Sequence, residues 1–227
     1  MVNKQLKRPV VAGALLAAAL IVFVAAWRGV FLTADSPPLG NSLAEFVYVC
    51  DGDVYTLPTP VSEYLANGWV LEQPPAPVMP AMEPLREWAA QFPASETQRL
   101  ESGEEQEIYL SRGEKGGMLR IANPADKPAA LRDGVVIEIQ SNTAYDMNVE
   151  LAGDICLDSW FGEFKARLEE LAGPDAEITR TTSNDCDTFI VRYPDGGYYR
   201  FSWLTLYGAR LSSLIVHHPT ASCTSAK

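Results

Sequence analysis

The sequence is poor in the residues that most catalytic and metal sites use. It holds only two histidines, His217 and His218, which are adjacent on a predicted strand and therefore point to opposite faces. None of the four cysteines stands in a Cys-x-x-Cys or Cys-His spacing, and the phosphate-loop, GxSxG and HExxH motifs are absent. We therefore expect no metal, no cofactor and none of the common hydrolase or nucleotide chemistries.

Basic residues are also scarce. The 227 residues include 18 Lys and Arg against 29 Asp and Glu, a net charge of −11. Such a chain repels phosphate backbones, so nucleic acid is excluded as a partner. The segment Asp51-Gly52-Asp53 starts like a calcium loop, but Tyr55 and Ser62 stand where ligands are needed. This segment therefore predicts a hairpin turn.

One long apolar run stands near the start of the chain. Residues 10–27 contain no charge and no proline, and Lys4, Lys7 and Arg8 precede them. A run of this length, with basic residues before it, predicts a single membrane-spanning anchor with a cytoplasmic N-terminus. Residues 35–227 are then extracellular. The alternative is a cleaved signal peptide with a mature chain that starts at Trp27.

All four cysteines lie beyond the apolar run, on the side that the anchor places outside the cell. That compartment permits disulfides, although four cysteines allow three connectivities. We expect Cys156 to pair with Cys186 across one helix, and Cys50 to pair with Cys223, joining the tail to the first strand.

The first half of the exported part begins with a β-hairpin signal. The runs Phe46–Cys50 and Asp53–Leu57 flank Asp51-Gly52, a dipeptide typical of turns that need a positive φ. A short helix capped by Thr59 follows, and a second helix is predicted over residues 85–92. Three strands then form a predicted antiparallel meander: Glu107–Ser111, Met118–Ala122 and Val135–Gln140.

The second half repeats this order of elements. A helix with the apolar stripe Phe164, Leu168 and Leu171 ends at Gly173. Three predicted strands follow it: Thr188–Tyr193, Tyr198–Tyr207 and Ser212–His218. We therefore predict an α+β fold: an N-terminal transmembrane helix, then an ectodomain of two similar halves, each with a helix packed on an antiparallel sheet. The predicted segments are an anchor (1–34), a stem (35–45), two halves (46–150 and 151–219) and a tail (220–227).

One predicted strand carries bulky residues on both faces. Tyr199, Phe201 and Trp203 share one face because strand side chains alternate. This face either packs in the core or forms an exposed aromatic platform for a ligand. These three residues are the candidate binding residues. Trp88 and Trp160 are expected in the core.

Two resemblances accompany these patterns. The run from Asp51 to Trp69 (DGDVYTLPTPVSEYLANGW) resembles a phrase in exported or lipoprotein-like proteins of Gram-positive, often gut-dwelling, bacteria. The second half is similar to the helix-on-sheet repeat of β-lactamase-inhibitor-like envelope proteins. The first resemblance implies a surface location with no assigned chemistry. The second implies binding through a sheet face or loops.

The expected function follows from location and from the missing chemistry. We expect a membrane-anchored extracellular protein that binds a protein or an envelope component without catalysing a reaction. One alternative is a hydrolase of cell-wall or glycan material that uses carboxylates. Another is an accessory subunit of a membrane complex, held there by the anchor.

Overall fold

The protein is built mainly of antiparallel strands. The structure is a computed structural model that describes residues 39–75, 83–142, 147–157, 159–183, 185–204 and 210–220. The strands, in chain order, are β1 (Val47–Cys50), β2 (Asp53–Thr56), β3 (Thr59–Pro60), β4 (Val70–Glu72), β5 (Arg99–Leu100), β6 (Glu105–Arg112), β7 (Lys115–Ala122), β8 (Ala129–Ala130), β9 (Val135–Asn142), β10 (Val149–Leu151), β11 (Glu177–Thr182), β12 (Cys186–Arg192), β13 (Tyr198–Leu204) and β14 (Leu211–His217).

Three α-helices occur in the described ranges. They are α1 (Val61–Ala66), α2 (Glu83–Ala89) and α3 (Phe161–Ala172), and 3₁₀ turns lie at Leu43–Glu45 and Leu131–Asp133. None of the helices in these ranges is long and apolar enough to span a membrane. The predicted transmembrane helix and the stem up to residue 38 lie outside the described residues.

Nine strands form one large sheet. Eight lie side by side in the order β11-β12-β13-β14-β9-β7-β6-β4, and β3 pairs with β9 near its start. A three-stranded sheet has the order β10-β1-β2, and β5 pairs with β8. The predicted meander is confirmed, because β7 lies between β6 and β9 in the large sheet.

The predicted hairpin between β1 and β2 is also confirmed. Asp51 and Gly52 both have a positive φ, of 49° and 94°, as a two-residue turn of this hand requires. The turn is held from outside the hairpin as well, because the Asp51 amide donates to the Asn148 carbonyl at 3.1 Å.

The main core lies between one face of the large sheet and the elements that cover it. Phe164 of α3 packs its ring 4.6 Å from the rings of Phe201 and Trp203. Phe46, just before β1, stacks on Tyr199 at 5.0 Å. Helix α3 and the three-stranded sheet therefore cover the same face of β13.

The prediction of an α+β fold with two similar halves is wrong. β9, from the first predicted half, pairs along its length with β14 from the second, with Asn142 opposite Ser213 and Glu138 opposite His217. The large sheet belongs to neither half alone, because dividing it there would leave the edges of β9 and β14 without hydrogen-bond partners. The result is one shared sheet in a mostly β protein.

Candidate binding face

The predicted binding residues are buried. Tyr199 and Phe201 have no exposed surface and Trp203 is 3% exposed. The Tyr199 hydroxyl donates to the Leu43 carbonyl at 2.7 Å, and Trp203 Nε1 donates to the Ser159 carbonyl at 3.3 Å. Of the two readings of this face, the structure favours core packing, since an aromatic platform must be reachable by its ligand.

The opposite side of β13 is exposed or half-buried. Tyr198, Arg200 and Ser202 alternate with the three core aromatics along β13. We use the term open face for the surface that these residues share with their register partners on β11, β12, β14 and β9. In the part of the chain that the structure describes, α3 and the three-stranded sheet lie on the other side.

A row of polar residues crosses the sheet on this side. Each member stands opposite the next in register on neighbouring strands. We call it the charged row, and it runs Glu177, Arg192, Tyr198, His217, Glu138, Arg120, Glu107. The row extends from β11 to β6, and its acidic and basic members are interspersed.

Glu138 is the buried centre of the charged row. It is 7% exposed, accepts a hydrogen bond from the Tyr198 hydroxyl at 2.9 Å and lies 3.7 Å from Arg120 Nη2. His217 Nδ1 lies 3.2 Å from Glu138 Oε2, although its orientation is not that of a well-formed hydrogen bond. The His217 ring also stacks on Tyr198 at 4.7 Å.

These contacts change the acidity of Glu138 and Tyr198. Burial alone raises the pKa of Glu138, but the contacts from His217, Arg120 and Tyr198 outweigh burial and leave the pKa below its usual value. Burial, with the nearby charge of Glu138, raises the pKa of Tyr198 to about 12. The folded protein therefore favours the ionised form of Glu138, which makes this carboxylate a poor proton donor.

A second row on the open face carries no charge. Its members again stand opposite one another in register: Thr181, Thr188, Ser202, Ser213 and Asn142. The Thr188 and Ser202 hydroxyls are 3.2 Å apart and share a hydrogen bond. This side of the sheet therefore offers many hydrogen-bonding groups, with Ile190, Ile215 and Leu204 as its apolar members.

Helix α2 covers the far end of the same side of the sheet. Trp88 and Phe92, in and just after α2, pack on Tyr109 of β6 and Met118 of β7. Trp88 is thus half-buried in a small apolar cluster and does not lie in the main core, where it was expected. The open face ends where this cluster begins.

The cleft beside α3 is too small for a substrate. It has a volume of about 50 Å³ and is lined by Asp154, Glu163, Arg167 and neighbouring residues. Small-molecule sites usually have volumes of roughly 300–1,000 Å³. Trp160 at its rim is 50% exposed, under the Arg210 guanidinium at 5.1 Å, so its expected place in the core is wrong. Trp160 precedes the first turn of α3 and is not on its buried stripe.

The histidines do not come together as a metal site. His217 lies on the open face against Tyr198, whereas His218 packs edge-on against Phe46 at 4.6 Å on the core side. His218 Nε2 lies 3.2 Å from Asp195. Within the described ranges, no group of three or more His, Cys, Asp or Glu residues is placed to hold a metal.

The predicted Cys156–Cys186 bridge is not formed in the structure. Cys186 carries a free thiol that lies 3.5 Å from Thr188 Oγ1, on the open-face side of β12. Cys156 lies just before α3, where its sulfur accepts from the Ser159 hydroxyl at 3.9 Å. The large sheet therefore lies between the Cys156 and Cys186 sulfurs. Cys50 is a buried free thiol whose pKa is raised by burial, and its predicted partner Cys223 lies outside the described residues.

Sequence reasoning missed the charged row because register is not a local property. A single charged residue inside an apolar strand was a usable signal, as at Glu138 between Ile137 and Ile139 and at Arg120 between Leu119 and Ile121. Such a residue needs a partner when it is buried. The identity of that partner depends on which strands pair.

No family model, curated protein or solved structure matches this chain. The resemblances to exported proteins of Gram-positive bacteria and to inhibitor-like envelope proteins therefore remain predictions.

Proposed function

We propose that this chain is a non-enzymatic binding module that holds a partner protein against its open face. The observation that carries the proposal is the surface over β11, β12, β13, β14 and β9, which is largely polar apart from Ile190, Leu204 and Ile215. The core aromatics lie on the other side of these strands, so stability does not require the open face to be covered.

The shape of this surface favours a macromolecular partner. Five strands about 4.8 Å apart, each with roughly seven residues of 3.3 Å rise, give a flat patch about 20 Å across. A patch of that size is at the low end for specific protein interfaces and is typical of transient complexes. We therefore expect reversible binding with a dissociation constant on the order of micromolar.

The hydrolase alternative has less support. A glycosidase needs a proton donor with a raised pKa beside a second carboxylate across an open cleft. Glu138, the buried carboxylate of the charged row, has a lowered pKa and is held by Tyr198, Arg120 and His217. We therefore propose no second function.

The test uses a substitution that obstructs the open face and leaves the core residues unchanged. Ser202→Arg places a long side chain in the uncharged row, and Ser62→Arg makes the same change at an exposed position of α1. Envelope proteins from the source cell are captured on the immobilised full-length chain in mild detergent. We expect one partner that is lost with Ser202→Arg and kept with Ser62→Arg, while both variants melt like the parent.

A partner that both variants retain equally would refute the proposal. The same capture, run against peptidoglycan and glycan fractions, addresses the enzymatic alternative. Product release by the parent chain would favour a hydrolase. The extracellular location predicted from the sequence is checked separately, by N-terminal sequencing and by protease accessibility of intact cells.

A further inference from the structure

Two arginines of the open face are diagonal neighbours. Arg192 on β12 stands opposite Tyr198, and Arg200 on β13 stands opposite Ile190. Diagonal side chains of this kind on one face of an antiparallel pair are about 7 Å apart. Both arginines are exposed. The four residues form a square in which Arg alternates with Tyr198 and Ile190.

In the described residues neither arginine forms an ion pair with a carboxylate, although Glu177 stands opposite Arg192 in register. Among the described residues, no carboxylate lies within ion-pair distance of Arg200, and Arg192 Nη1 donates to the neutral Thr179 hydroxyl at 3.2 Å. Other arginines of the sheet are ion-paired: Arg112 with Asp53, Arg120 with Glu107 and Glu138, and Arg180 with Asp187.

This difference matters in a chain with 29 acidic and 18 basic residues. Where acids are in excess, two neighbouring cations that form no ion pair with a described carboxylate leave a local positive site on an otherwise acidic protein. Guanidinium groups match carboxylates with two parallel hydrogen bonds each, so the site is complementary to a pair of carboxylates.

We propose that Arg192 and Arg200 bind an extended acidic segment of the partner protein, with carboxylates at positions i and i+2. This inference rests on the proposed function and names the chemistry of its partner. Alternate residues of an extended chain point to one side about 6.8 Å apart, which matches the diagonal of the two arginines. Tyr198 and Ile190 then contact the apolar stems of the bound side chains.

The surroundings favour a short acidic segment over a long polyanion. Glu177 stands beside Arg192 in the charged row, and Glu138 and Glu107 continue the row on the other side. A teichoic-acid-like or nucleic-acid-like polymer that crosses the sheet would meet these carboxylates. A segment with two or three acids needs only the square around the arginines.

The experiment uses two labelled peptides of identical composition and the full-length chain in mild detergent. One is Glu-Thr-Glu-Thr-Glu-Thr-Thr, and the other is Glu-Thr-Thr-Glu-Thr-Thr-Glu, which places successive acids on opposite sides when extended. Fluorescence anisotropy should show tighter binding of the first peptide and weaker binding as salt rises from about 0.05 to about 0.5 M.

Charge reversal identifies the site. Arg200→Glu and Arg192→Glu should each weaken binding of the first peptide about tenfold, because an exposed attraction becomes a repulsion. Arg99→Glu, at an exposed position of β5, should leave it within about twofold. Arg200→Gln, with a smaller expected loss, guards against misfolding of the reversal variants.

Equal binding of the two peptides, or binding that survives both charge reversals, would overturn the inference. So would a stronger response to polyphosphate than to the first peptide. Failure here is distinguishable from failure of the proposed function. If the captured partner is lost with Ser202→Arg but kept with both charge reversals, the binding face stands and its acidic ligand does not.

Discussion

The two faces of strand β13 differ in what they contribute, although they belong to the same seven residues. Tyr199, Phe201 and Trp203 pack under α3 and Phe46 and belong to the main core. Tyr198 and Arg200, which alternate with these residues along β13, lie on the open face. Aromatic content by itself therefore does not locate a binding surface. Burial of Tyr199, Phe201 and Trp203 makes these rings structural, and the recognition that we propose uses the polar side.

The largest expected effect separates the two faces directly. Phe201→Ala removes a fully buried ring that packs on Phe164 and should lower the free energy of unfolding by about 3–5 kcal/mol. Its neighbour Arg200→Ala should change it by no more than about 0.5 kcal/mol. Urea unfolding of both variants checks the contrast. Similar losses would mean that the open face is also core.

A smaller effect is expected from one buried hydrogen bond. Tyr199→Phe removes the hydroxyl that donates to the Leu43 carbonyl at 2.7 Å and leaves that carbonyl without its partner. The expected loss is about 1–3 kcal/mol. Thr188→Ala is the control on the open face, since the hydroxyl that it removes shares a hydrogen bond with the half-buried, uncharged Ser202 hydroxyl. Thermal and urea unfolding should rank the Tyr199 variant as the less stable.

The charged row predicts a dependence of stability on pH. The folded-state pKa of Glu138 lies below its ordinary value of 4.5, so its contribution to stability is present above that pH and is lost as pH falls through the folded-state value. Unfolding free energies measured from pH 7 down to pH 3 should therefore fall more steeply for the parent than for Glu138→Gln. Parallel curves would show that the ionised carboxylate does not stabilise the sheet.

The smallest expected effect on stability tests the uncharged row. Thr188→Ala removes one hydroxyl that shares a bond with Ser202 at the surface and should lower stability by about 0.5 kcal/mol or less. If the row is used for recognition, Thr188→Ala should reduce the amount of partner captured while its melting temperature stays close to that of the parent. Differential scanning calorimetry and the capture assay, run on the same preparation, compare the two.

Local signals in the sequence account for several elements of the fold. Asp51-Gly52 predicted its hairpin because that turn needs positive φ at both positions, whatever the rest of the chain does. The stripe Phe164, Leu168 and Leu171 predicted α3 because these residues recur at helical spacing. Strand β11 was missed, since the segment EITRTT is largely polar and half exposed on both faces at the edge of the sheet.

The site was harder to predict than the elements. The alternation along β13 was readable, but the side of β13 that becomes buried depends on where α3 and Phe46 pack. Likewise Glu138, Tyr198 and His217 come from strands far apart in the chain, and their approach depends on the pairing of β9 with β14. A one-residue shift in that register would turn Glu138 to the other face.

By itself the sequence determined the acidic charge, the turns, most strand positions and the helix that covers the sheet, because these depend on composition and on residues close in the chain. Only the tertiary structure decided that two apparent halves share one sheet, that the aromatic side of β13 is the core, and that Arg192 and Arg200, which form no ion pair within the described ranges, are diagonal neighbours on the open face. Those outcomes depend on long-range strand pairing, whose hydrogen bonds involve backbone groups common to every residue and therefore leave little trace in the local sequence.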